Sequence, residues 1–124
     1  TLFYIKYMIN FKINEFDSPD KKGSSTNMCP TFLSMIDKAR SIADVPFIIT
    51  SGYRTKSHNK SVGGVLNSSH TKGLACDIKC TNSRHRFLII SALRDVGFTR
   101  IGISKTFIHC DSDVEKSQNV YWVY

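Results

Sequence analysis

No apolar run in this 124-residue sequence approaches the roughly 18–20 residues that a membrane-spanning helix needs. Membrane insertion is therefore not expected. The opening TLFYIKYMINF is apolar, but Lys6 interrupts it and no small-residue cleavage site follows, so it does not read as a secretory signal. Met8 is a candidate natural start, with Thr1 to Tyr7 left from something upstream. Internal repeats, low-complexity tracts and interior linkers are also lacking. One domain over residues 1–124 is expected, with 1–14 as an N-terminal extension.

The four cysteines, Cys29, Cys76, Cys80 and Cys110, include no CxxC pair and form no dense framework. Free, mostly buried thiols are expected rather than a disulfide scaffold. Acidic residues are scarce, 10 against 17 Lys and Arg, which leaves a net charge of +7. Such an excess favours polyanions: nucleic acid, anionic lipid, or the teichoic acids and carboxylates of a bacterial wall. The basic residues are scattered rather than blocked, so charge defines a class of partner and no more. By charge alone, nucleic acid is the commonest explanation.

What is present suits a soluble α+β protein able to bury one core. Residues 17–30 (DSPDKKGSSTNMCP) read as a polar turn-rich loop. A helix should follow, with Pro30 in its first turn and Leu33, Ile36, Ala39 and Ala43 at helical spacing. VPFIIT (45–50) reads as a buried strand, and 51–69 as a long loop with room for a helical turn. In LACDIKC (74–80), alternation puts Leu74, Cys76, Ile78 and Cys80 on one face and Ala75, Asp77 and Lys79 on the other. A second helix fits 83–96, with a Phe87, Ile90, Leu93 stripe and a stop at Gly97. RIGI, TFIHCD and VYWVY make further strands. The expected architecture is a small, largely antiparallel sheet with helices packed on one side.

Nothing about a core asks for the stretch SSHTKGLACD (68–77). Gly73 lets the chain bend sharply enough to carry His70 back over Asp77. In the strand 106–111, Phe107, His109 and Asp111 share a face. If that strand lies beside 74–80, two imidazoles and one carboxylate converge. Such a set suits zinc with a fourth position left for water. An aspartate amid apolar strand residues also needs a metal or a strong partner, because burying it unpaired is costly.

Ser68-x-His70-x-x-Gly73-x-Ala75-x-Asp77 resembles the SxHxxGxAxD signature of the zinc D-alanyl-D-alanine peptidases. That family includes D,D-carboxypeptidases, VanX-like dipeptidases and phage L-alanyl-D-glutamate endolysins, on the Hedgehog/DD-peptidase fold. SGYRT (51–55) is similar to the family's SGYR segment, and FIHCD (107–111) to the strand bearing the last metal ligand. The resemblance runs from about Glu15 to Tyr124 with three motifs in order. It implies one zinc ion held by His70, Asp77 and His109, Arg54 gripping a substrate carbonyl or carboxylate, and Ser68 as a substrate or supporting hydrogen-bond partner. It also implies a peptidase acting on bacterial peptidoglycan next to D-residues, monomeric, with no nucleic-acid partner. A phage enzyme made in the host cytoplasm and acting on the wall after release is the setting it suggests.

One part of the pattern is missing. Family members carry a Glu or Asp general base three residues before the last histidine ligand, where this chain has Thr106. Asp111 is the nearest replacement, with Glu115 more remote; alternatively Asp111 only supports a ligand histidine. A non-catalytic zinc module that binds the wall, and a carboxypeptidase that only trims terminal D-alanine, are the rival functions. His58 and Asn59 suggest an HNH nuclease only weakly, since no other part of that metal finger is visible. His58 is expected in the groove or solvated, His85 at the surface, Cys110 in the core, and Trp122 in core or edge-strand packing.

Overall fold

The computed structural model describes residues 8–124. The expectation that Thr1 to Tyr7 derive from something upstream concerns residues outside those described.

Helix α1 spans Pro30–Ala43. Proline suits its first turn because its fixed φ matches the helix and the missing N–H would have had no partner there. Phe32, Leu33, Ile36, Ala39 and Ala43 form the buried face. Helix α2, Lys56–Ser61, is the turn anticipated within the long loop, and Thr55 caps it by accepting the His58 N–H at 3.1 Å. Helix α3, Ser83–Asp95, starts where Asn82 Oδ1 accepts the His85 N–H at 2.8 Å. It stops at Gly97, whose φ of 106° lets the Phe98 N–H return to the Leu93 carbonyl at 3.0 Å.

The face α3 buries differs from the expected stripe. Ile89, Ala92 and Leu93 are buried, while Phe87 is 71% exposed. At about 100° per residue, Phe87 lies about 120° round the axis from Leu93, so steps of three drift off the face that steps of three and four hold.

Among the described residues, five strands form one sheet: β1 (Ile49–Ser51), β2 (Ala75–Lys79), β3 (Arg100–Ile103), β4 (Phe107–Asp111) and β5 (Val120–Val123). Their spatial order is β1-β2-β4-β3-β5. Every pairing is antiparallel except β3 with β5, which is parallel. The strand expected at 45–50 begins later and is an edge strand, not a buried one. Pro46 has no N–H to give a ladder, only Phe47 of that stretch is fully buried, and Ile48 is 55% exposed.

Helices α1 and α3 cover the sheet face formed by Cys76, Ile78, Ile101, Ile108 and Cys110. Phe16, Phe32, Phe47 and Phe98 fill the space between, each contributing about 1.5–3 kcal/mol by leaving water. Phe11 joins them in an edge-on contact with Phe16 at 5.3 Å. Residues 8–14, expected as an extension, thus supply part of the core. All four cysteines are free thiols; Cys76 and Cys110 face each other across β2 and β4 with sulfurs 3.8 Å apart. Among the described residues, no helix is long and apolar enough to cross a membrane.

Candidate metal centre

The other face of the sheet carries Asp77, His109 and Asp111. Register aligns Asp77 with His109 directly, so two side chains distant in sequence become cross-strand neighbours. His70 reaches them from the turn Ser69–Lys72. That turn is closed by Gly73 at φ 71°, where a Cβ would also come 2.1 Å from the Asn27 carbonyl oxygen. Glycine is required there on both counts. Ser68 opens the same turn, and its Oγ accepts the His70 N–H at 3.2 Å.

SGYR lies alongside. The Arg54 N–H bonds the His70 carbonyl at 3.2 Å, and the Gly52 carbonyl is 2.8 Å from His70 Nδ1. That contact anchors Nδ1 and leaves Nε2 as the nitrogen that faces Asp77 Oδ1, at 3.4 Å. His109 presents Nδ1 to the same oxygen at 2.9 Å, while its Nε2 meets Asp111 Oδ2 at 2.8 Å. One donor atom from each of His70, Asp77 and His109 lies within 4.8 Å of the others. Two imidazole nitrogens and a carboxylate oxygen suit a borderline-soft divalent ion, and their second nitrogens are already anchored as metal-ligating histidines require. The cluster is geometrically compatible with one zinc ion.

The cluster's own charges also hold it together. Burial opposes ionisation of Asp77, yet hydrogen bonds from His109 and His70 outweigh it and hold the carboxyl well below the usual range. Burial likewise disfavours a charged His109, but Asp111 and Asp77 overcome it and raise its pKa to about 9. Asp111 is 2% exposed. Its pKa is lowered against the effect of burial by His109, with help from the Asp113 N–H and Arg100. Oδ1 accepts from Arg100 Nε at 2.7 Å and from the Asp113 N–H at 3.1 Å.

The triad opens into a cavity of about 390 Å³. Arg54 and Ser68 line it, as do Arg100, Lys116, Trp122 and Tyr124. Arg54 Nη2 stands 3.6 Å from Asp77 Oδ2. Trp122 lies flat over Gly102, where a Cβ would approach its ring to 2.6 Å, with Arg100 5.0 Å from the ring centre. Trp122 packs from the edge strand β5, as expected, and lines the cavity as well; Arg100 was not anticipated. Alternation puts Arg100 and Gly102 on one face, but only the register of β3 on β4 matches that face to His109. Thr106 is exposed in the turn before β4, and His58 is not among the residues lining the cavity. Asp113, also unanticipated, is buried and receives Ser69 Oγ at 2.8 Å and Lys72 Nζ at 2.9 Å, tying the His70 turn to the segment after β4.

A His₂Asp cluster left open on one side, set in a cationic cleft of an α+β sheet, defines a zinc metallopeptidase class of site. The family model described as Peptidase M15 matches residues 9–111, and the chain belongs to that family. No curated protein matches the sequence.

Proposed function

We propose that this protein hydrolyses peptide bonds next to D-residues in bacterial peptidoglycan, with His70 Nε2, His109 Nδ1 and an Asp77 oxygen holding one zinc ion. The observation that carries the proposal is the convergence of those three donors beside Arg54 in one open cavity. Bound zinc supplies Lewis acidity and a water whose pKa falls to about 7.

The protein's own groups do the rest. Arg54 Nη2 points into the cavity and offsets charge on the substrate oxygen as the carbonyl becomes tetrahedral. Water's oxygen bonds to the acyl carbon, the carbon–nitrogen bond breaks, and both of the water's protons end on the departing nitrogen, giving a carboxylate and a protonated amine. Ser68 supports the site by holding the His70 turn while lining the cavity.

Asp111 has two readings, the missing general base or a support for a ligand histidine. Its oxygens are engaged by His109, Arg100 and the Asp113 N–H, which supports the other reading, that it orients His109 and fixes which nitrogen carries the proton. The net charge of +7 supports adhesion to anionic wall, and release from a phage-infected host is the setting we favour.

Purified peptidoglycan incubated with the protein should release free amines. Release should stop with chelator and return with zinc. A protein that binds wall and zinc yet releases no amines would instead be a non-catalytic module.

A further inference from the structure

We infer that Arg100 and Lys116 form an anion subsite beside the metal cluster, which takes a carboxylate that the substrate carries next to the cut bond. The inference rests on the peptidase reading above and narrows its substrates.

The cavity runs across the sheet. Asp77 on β2 and His109 on β4 stand in its middle, and Arg54, which follows β1, flanks them on one side. Arg100 on β3, Trp122 on β5 and Lys116 in the connection from β4 to β5 line the other side.

Two bonds hold Arg100 in place. Nε donates to Asp111 Oδ1 at 2.7 Å and Nη1 to the Ser117 carbonyl at 2.5 Å, with the Trp122 ring centre 5.0 Å from the guanidinium carbon. One N–H on Nη1 and both on Nη2 are left, and among the described residues they meet no acceptor. Because the Ser117 carbonyl anchors the guanidinium, Lys116, one residue earlier, borders the same part of the cavity.

Lys116 Nζ donates no hydrogen bond among the described residues. The carboxylate oxygen nearest to it, Asp113 Oδ2, is 3.9 Å away and already accepts from Ser69 Oγ at 2.8 Å and Lys72 Nζ at 2.9 Å. The two carboxylates in the cavity wall are engaged too, Asp77 by both histidines and Asp111 by His109 and Arg100. This side of the cavity therefore offers two positive charges with free donors and no anion of its own. A carboxylate placed there gains charge-assisted hydrogen bonds from both. It has two sources in a peptide: an acidic residue beside the cut bond, or a free C-terminus.

The test uses two pairs of peptides with the zinc-loaded protein. One pair carries D-glutamate next to the cut bond, as the acid or as its carboxamide. The other ends in D-alanine, free or amidated. In one pair the native protein should favour the acid by at least about tenfold in kcat/KM, and Lys116→Met should reduce that preference to about threefold or less. The pair that responds identifies the source. Acid-to-amide ratios that Lys116→Met leaves as they were in both pairs would overturn the inference and leave the peptidase reading intact. Cleavage of none of the four would overturn the peptidase reading and this inference with it.

Binding without turnover gives a second readout. Trp122 is the one tryptophan of the chain and lies against Arg100, so its fluorescence reports this side of the cavity. In chelator-treated protein, the acid peptide that responded should bind about tenfold more tightly to the native chain than to Lys116→Met. Equal Kd values for the two chains would refute the subsite.

Discussion

Replacing Asp111 by asparagine keeps shape and removes one charge, and it separates the two roles open to this residue. Oδ1 faces two donors, Arg100 Nε and the Asp113 N–H, so the amide oxygen of Asp111→Asn will settle there. Its NH₂ then faces His109 Nε2, where the native carboxylate accepts at 2.8 Å. An NH₂ can only donate, so Nε2 must give up its proton and Nδ1 must keep one. Nδ1 is the nitrogen that faces Asp77 and has to offer a lone pair to a metal. Zinc affinity should fall by about 10–100-fold, equivalent to about 1.4–2.8 kcal/mol. Arg100 keeps an acceptor but loses its buried counter-charge, which should cost about 1–3 kcal/mol of folding stability as well. Zinc competition against a chromophoric chelator measures the first, and urea unfolding the second. At saturating zinc the variant should regain most of its activity. A variant that binds zinc normally but loses kcat by about 10²–10⁴-fold would make Asp111 the general base and refute the orienting role.

Arg54→Ala should lower kcat by about 10²–10³-fold in peptide hydrolysis while zinc content stays at the native level. Asp113→Ala leaves Ser69 Oγ and Lys72 without their carboxylate and should destabilise the fold by about 1–3 kcal/mol in urea melts, with weaker zinc retention because the His70 turn loosens. The pH dependence follows from His109, whose pKa rises from 6.5 to about 9 on folding without metal. The folded state then binds the proton more tightly than the unfolded state, so this contribution is full below 6.5 and is lost as pH rises through about 9. Chelator-treated protein should therefore lose melting temperature over that interval. Zinc-loaded protein, in which Nδ1 has already released its proton, should not show this loss.

The polar face was legible because alternation is local. Cys76, Ile78 and Cys80 go to the core and Asp77 to the opposite face whatever lies beside them. The same holds for Phe107, His109 and Asp111, so the convergence of the triad needed only the assumption that β2 and β4 are neighbours. Partners set by strand order were not legible. Arg100 meets Asp111 because β3 lies on the far side of β4, and Trp122 reaches the cavity because β5 pairs in parallel with β3. Nothing near 100 or 122 in the chain announces either contact. The placement of Asn59 was hidden in the same way. Its short helix reads as a polar turn, and only the fold carries it to Gly64 and Arg54. Phe87 was misplaced because a three-residue period fits a short helix almost as well as the true 3.6.

The most direct test of the account is elemental analysis of the purified chain after zinc loading and desalting, alongside His70→Ala, Asp77→Ala and His109→Ala. The account predicts one zinc per native chain and loss of the ion in each folded variant. A native chain that takes up no zinc, or variants that keep it in full, would contradict it.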